Sequence, residues 1–198
     1  MMDFTKIKAS LEKNGYSVKV FASSAEARDY LDGEIDGQTV GIGGSVTVEQ
    51  LGLYDALSKH NEVFWHWRPK DGNEREKAKN AGVYISSVNG ISENGEIVNI
   101  DGTGNRVASV TYGHEKVYLV AGQNKIAPDL EAAIFRARNV AAPLNAKRLG
   151  VKTPCAVNGD KCYDCSSPSR ICKSLSVLWR APGGCGYEVV LVEEDLGY

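Results

Sequence analysis

No apolar run in the chain approaches the roughly 20 residues that a membrane-spanning helix needs, so no segment reads as a membrane anchor. Positive charge is not in excess: 23 Lys and Arg stand against 25 Asp and Glu, a formal net charge of -2. That balance argues against a broad basic surface for nucleic acid. The opening run MMDFTKIKASLEKNG is charged and helical in pattern, unlike a secretory leader. A cytoplasmic location is expected, with neither nucleic acid nor membrane as partner. Histidine is scarce, and the three present, His60, His66 and His114, lack metal-ligand spacing. Cysteine is absent before position 155. A disulfide scaffold spreads its cysteines through a small secreted chain; this clustering points to metal or redox chemistry instead.

What is present suits one soluble domain spanning residues 1–198, with 42% apolar and 24% charged residues. Helix and strand patterns alternate. Phe4, Ile7 and Leu11, stopped by Gly15, predict an amphipathic helix. Strand patterns follow at 16–21, 38–42, 63–67, 83–88, 96–100, 116–121 and 187–192. Between them the sequence predicts a helix capped by Ser24 and running through Leu31, and others at 48–57, 74–80 and 106–110. A helix over 129–141 has Leu130, Ile134 and Val140 on its apolar side, and Pro143 opens a short one through Leu149. Asn89-Gly90 and Asn94-Gly95 are turn signals. Such alternation predicts an α/β fold with a mainly parallel sheet flanked by helices. A cysteine-rich segment, 152–173, reads as a lobe on that domain.

Three stretches carry chemistry. Gly41-Ile42-Gly43-Gly44-Ser45-Val46-Thr47 joins a strand to a helix. Glycines permit a sharp turn and close backbone approach, and amides at a helix start attract anions. The run is neither a Walker motif nor a GxGxxG pattern, and a plain turn with a helix cap explains it equally well. The polar run Asn99 to Arg106 follows a strand, where α/β sheets place ligands. Asp101 is a candidate acid or base, and Arg106 a candidate carboxylate or phosphate binder. Lys125 could add positive charge to the same edge, although a solvated loop lysine is the plainer reading. Arg136 and Arg138 read as ordinary helix-face arginines, and His66 as a surface histidine beside two packing tryptophans. Finally, Cys155-x6-Cys162-x2-Cys165-x6-Cys172 offers four thiolates. These suit a tetrahedral zinc site or a [4Fe–4S] cluster, the spacing fixing neither. Cys185 is a possible extra ligand, more simply a turn thiol.

Taken together, these strings resemble the LUD family, the lactate-utilisation domain proteins. The resemblance rests on GIGGSVT at 41–47 with LGLYDAL after it, and on SSVNGISENGEIVNIDGTGNR at 86–106. It continues through AGQNKIAPDLEAAIFRARNVAAPLNAKRL at 121–149, TPC…CYDCSSPSRIC at 153–172 and VVLVEEDLG at 189–197. It implies a fold similar to the ribose-phosphate isomerase and CoA-transferase superfamily, whose glycine-rich turn holds phosphorylated or CoA-linked ligands. On that footing Gly43, Gly44, Ser45 and Thr47 are anion-site candidates. Asn99, Asp101, Gly102, Thr103, Asn105 and Arg106 match the family's polar motif. Ser92-Glu93-Asn94-Gly95 resembles a CoA-transferase motif that supplies a glutamate nucleophile, which makes Glu93 a catalytic candidate. The family is associated with a multi-component iron–sulfur system that oxidises lactate. The chain lacks the twin ferredoxin motifs and any flavin motif, so an accessory or redox component is implied rather than a complete dehydrogenase. The alternatives are an enzyme acting on a sugar phosphate, nucleotide or CoA thioester through Asp101, Arg106 and Lys125, with a structural zinc, and a non-catalytic metal-dependent binding module.

Overall fold

A computed structural model describes residues 3–198; the first two residues of the opening helical run lie outside them. In chain order the strands are β1 (Ser17–Phe21), β2 (Thr39–Ile42), β3 (Glu62–Trp65), β4 (Val83–Ser87), β5 (Gly90–Ser92), β6 (Ile97–Asp101), β7 (Lys116–Gly122), β8 (Ile126–Ala127), β9 (Ser174–Leu178) and β10 (Gly186–Val192). The helices are α1 (Thr5–Lys13), α2 (Ser24–Glu34), α3 (Val46–Gln50), α4 (Leu53–Leu57), α5 (Glu74–Lys79), α6 (Asn105–Thr111), α7 (Leu130–Arg136), α8 (Ala142–Arg148) and α9 (Pro154–Asn158).

Six strands form one wholly parallel sheet in the order β1-β10-β7-β4-β2-β3. Its central strands are apolar on both faces, as a sheet covered twice requires. Along β7, Tyr118 and Val120 face α2, α3 and α4, while Val117, Leu119 and Ala121 face α1 and a second sheet. That second sheet has the order β8-β5-β6-β9 and is mixed in direction. Its far side, Val98 and Ile100, packs on Ala133 and Ala137. Gly90 lets the helix approach this closely, because a Cβ there would stand 2.8 Å from the Ala133 carbonyl oxygen.

The expected parallel α/β architecture is present, and the structure corrects several local readings. The helix cap is Ser23, whose hydroxyl accepts from the Glu26 amide, and not Ser24. The helix expected at 48–57 is two, broken where Gly52 takes a left-handed φ of 68°. The third strand stops at Trp65, and the chain turns so that Trp67 stacks back on Trp65. Asn89-Gly90 is no hairpin turn, because β5 begins at Gly90; Asn94-Gly95 does turn β5 into β6. The long helix does not restart at Pro143. A π-helical segment, Ala137–Ala141, links α7 to α8 without a gap. Its buried stripe is Ala133, Ala137 and Ala141, while Val140 is exposed. Of the second sheet only β6 was expected, at 96–100; β5, β8 and β9 lie outside the strand patterns. No helix among the described residues is long and apolar enough to cross a membrane.

Candidate functional site

The carboxyl ends of β2, β3, β4 and β7 open into one cleft of about 420 Å³, and the end of β6 borders it. This is where a parallel sheet offers space and unpaired backbone groups to a ligand. Gly44 lines it, while Gly43 lies behind the lining, packed against Tyr84, Ser86 and Arg106. A Cβ on Gly43 would lie 2.8 Å from the Tyr84 hydroxyl and 2.9 Å from both Arg106 Cγ and Ser86 Oγ. Only glycine therefore lets Arg106 pack onto the turn. Gly43→Ala is expected to cost about 1–3 kcal/mol of stability through overpacking. It should also shift Arg106 and weaken anion binding, measured by thermal denaturation and by titration with sulfate. Ser45 caps α3, its hydroxyl accepting from the Val48 amide at 3.2 Å. Thr47 is buried, donating to the Leu196 carbonyl at 3.3 Å and accepting from the Ser87 hydroxyl at 3.1 Å. Both side chains line the cleft, but their best hydrogen bonds already serve the fold.

Asp101 ends β6 and organises the polar run after it. One carboxylate oxygen accepts from the Thr103 and Gly104 amides at 3.0 and 3.1 Å. The other accepts from the Arg106 and Val107 amides at 2.9 and 3.3 Å. Arg106 Nε lies 3.8 Å away. Burial pushes the pKa of this carboxyl up, but Arg106 and the backbone amides outweigh it, and the net direction is down. The group is ionised at neutral pH and acts as the cap of α6. The structure thus gives the expected acid or base a positioning task. A depressed pKa stabilises the fold above the unfolded value of about 3.9 and loses that contribution as pH falls through the folded one. Asp101→Ala is expected to cost about 0.5–2 kcal/mol at neutral pH. Its deficit against the wild type should shrink as denaturation is followed toward pH 3.

Arg106 spans the corner. Its guanidinium donates to the Ile100 carbonyl and, at 3.4 Å, to the Asn89 side chain. Gly102, Thr103 and Asn105 line the cleft beside it. Asn99 does not: it is buried in β6, outside the lining, with its carbonyl oxygen unpartnered among the described residues. Lys125 is no loop lysine. It is 3% exposed, and its ammonium bonds the backbone oxygen of Tyr198. Burial first, then Arg136 and Arg106, bring its pKa down to about 7. Nor is Arg136 an ordinary surface arginine, since it donates to the backbone oxygens of Asn124, Asn89 and Tyr198. Glu93 is not brought to the cleft. It sits in the β5–β6 turn and pairs with Lys6 of α1.

Several lining residues escaped the sequence reading. His66 and Trp67 form one wall, with Arg75 nearby and the Arg148 guanidinium 4.7 Å from the centre of the Trp67 ring. Arg75, Arg106, Lys125 and Arg148 thus face a single carboxylate, Asp101. The lining is cationic in a chain whose net charge is slightly negative.

The four cysteines meet at a second recess against α8. Asn139, on the π segment, accepts the Cys162 amide at 3.3 Å. Asp164 takes a left-handed φ of 44°, which aims its amide at Cys162 Sγ, 3.3 Å away. Arg138 reaches the same sulfur at 4.0 Å. Arg170 ties the segment together, donating to the Cys172 and Cys165 carbonyls at 2.8 Å each and to Asp164 at 3.1 Å. All four cysteines are free thiols, and Cys185 lies apart from them against the core. The residue types are those a soft metal or an iron–sulfur cluster calls for, four thiols at one recess with an amide and two guanidinium groups to offset thiolate charge, but their placement does not form a site. The space between them is about 10 Å³, close to what one water occupies. Among the described residues no group of three or more His, Cys, Asp or Glu is placed to hold a metal ion. As placed, the 155–172 segment leaves no room for a cluster. That segment is half exposed and carries only α9 as regular structure.

Ala142 and Ile171 belong to both recesses, so the thiols and the cationic cleft share a wall. Gly102 makes this possible, because a Cβ there would stand 2.5 Å from the Ile171 carbonyl oxygen. The Lys173 amide donates to the Asp101 carbonyl at 2.9 Å and fixes the register.

Fold and site define an α/β protein with a cationic cleft at the carboxyl edge of a parallel sheet and a four-cysteine segment docked on its rim. The LUD domain family model matches residues 4–192, and the chain belongs to that family. Among solved structures, a DUF162 family protein from Deinococcus radiodurans is similar, with a TM-score of 0.54 at 12% identity. The match covers 97% of this chain and 99% of that one. At that identity the likeness concerns the fold. A search of curated proteins finds no match to the sequence.

Proposed function

We propose that this LUD protein is a redox or accessory component related to lactate utilisation. In this reading a small anionic ligand binds in the cleft beside an iron–sulfur cluster held by Cys155, Cys162, Cys165 and Cys172. The carrying observation is the shared wall of Ala142 and Ile171. A purely structural metal has no need to stand against the ligand cleft, whereas a redox centre does. Such a cluster, when bound, supplies one-electron chemistry. The chain's own residues do the rest: Arg75, Arg106 and Arg148 attract the anion, the glycine turn leaves it room, and Arg138 and Arg170 offset charge at the sulfurs. Further components of a lactate-oxidising system would exchange electrons with it.

A second reading is favoured by the size of the cleft, which is ample for a sugar phosphate or the phosphate end of a nucleotide or CoA. In that reading the cysteine segment holds a structural zinc. One titration separates the two. Protein purified without oxygen is followed by visible absorbance while pyruvate, lactate or ribose phosphate is added. The redox reading expects a coloured protein whose spectrum responds to pyruvate or lactate. A colourless zinc protein, stabilised by ribose phosphate alone, supports the second reading and contradicts the first.

A further inference from the structure

His66 is an ionisable side chain of the cleft wall with no hydrogen-bond partner among the described residues. It follows β3, and its ring stands edge-on to Trp67, centroids 6.2 Å apart. Nε2 and Cε1 lie 3.3 and 3.2 Å from where a Cβ on Gly44 would be, so the imidazole overhangs the glycine turn. Neither ring nitrogen is hydrogen-bonded to another group among the described residues, and the side chain lines the cleft. The charged groups facing it are Arg75 from α5, Arg106 from α6 and Asp101 from the end of β6. Two cations against one carboxylate leave the ring in a positive field. A half-buried imidazole without a bond, between a glycine turn and two guanidinium groups, is a hydrogen-bonding group left for a ligand.

We propose that His66 contacts the anion bound in this cleft and carries the one proton that anion binding takes up. The inference rests on reading the cleft as an anion site and adds the residue that links binding to pH. Without ligand, burial and then Arg75 hold the imidazole pKa below its ordinary value, so the ring is neutral at pH 7. A carboxylate or phosphate oxygen resting on Arg75 and Arg106 offsets their field and accepts the Nε2 hydrogen. Both effects favour the imidazolium. The proton comes from bulk water, and one is taken up per ligand. The pKa is raised on binding, so the linked affinity is fully present at low pH and is lost as pH rises through the bound value. Within that window affinity changes by up to about tenfold per pH unit. Lys125 is the other cleft group able to take up a proton near neutrality, and the test separates the two.

The experiment is calorimetric titration of the full chain with sulfate and with pyruvate, neither of which titrates between about pH 6 and 8. Two buffers of different ionisation heat are used, on wild-type and His66→Gln protein. Proton uptake by the wild type, lost in His66→Gln with binding retained, is the expected result. Binding without proton uptake overturns the inference and leaves the anion site standing. Uptake that persists in His66→Gln also overturns it and assigns the proton to Lys125. If neither anion binds the wild type, both the inference and the anion reading fall. Should His66→Gln not fold, the Cε1 signals of the three histidines, followed against pH with and without sulfate, decide the matter on the wild type. Two start below the ordinary pKa, His66 and the buried His114 outside the cleft, and one of them must rise; none rising overturns the proposal.

Discussion

Arg106→Ala protein is expected to lose about 1–3 kcal/mol of folding stability, the cost of leaving a buried acceptor without its donor. The side chain is 16% exposed and its partner Asp101 8%. Truncation leaves the Ile100 carbonyl and the Asp101 carboxylate without this guanidinium. It also removes a cation of the cleft, so affinity for sulfate or pyruvate should fall together with stability. Arg106→Lys separates the two effects. It keeps the charge but not the fork that reaches Asn89 and Ile100 together. Stability should recover in part, and anion affinity more fully than in the alanine variant. Chemical denaturation and calorimetric titration check both. If Arg106→Ala binds anions as tightly as the wild type, the ligand does not rest on this corner.

If the proposed cluster is present, Cys162→Ala is expected to abolish its visible absorbance in anaerobically purified protein and reduce bound iron to background, with the fold retained. Cys162 is the sulfur that receives both the Asp164 amide and the Arg138 guanidinium. The segment around it contributes little to the core, since the buried clusters of the main sheet contain none of its residues. Loss of the ligand should therefore spare the sheet, and far-ultraviolet circular dichroism should not change. Cys185→Ala is the matched control. That thiol lies outside the recess, so iron and colour should persist. Equal loss in both variants contradicts the four-cysteine assignment.

The six strands of the main sheet were legible because each is a short apolar run bounded by polar or glycine residues, and helices separate them. Of the second sheet only β6 was. β5 and β8 are three and two residues long, too short to show a period. β9 pairs with β6 across 73 residues of chain at Asp101 and Ser174, a partnership no local pattern encodes. Within the site, the glycine turn, the Asp101 run and the four cysteines were legible as chemistry-bearing strings, and the structure gathers most of them at one edge. The burial of Lys125 was hidden because the 196–198 segment that covers it comes from the far end of the sequence. His66 was misread by period-two logic. Assuming a strand through Trp67 sends its ring away from the tryptophans, whereas the strand ends at Trp65 and the turn carries both His66 and Trp67 into the cleft. A hydroxyl or carboxylate named as a reactive group can also be consumed by the fold, as Ser45 and Asp101 are by caps. Sequence shows which side chains are available and not which are already bonded.

The central claim, an iron–sulfur centre built against an anion cleft, is tested most directly by iron and acid-labile sulfide analysis of protein purified without oxygen. The account predicts about four of each per chain, as a cluster on four cysteines requires. About one zinc and no sulfide, or no metal at all, would contradict it.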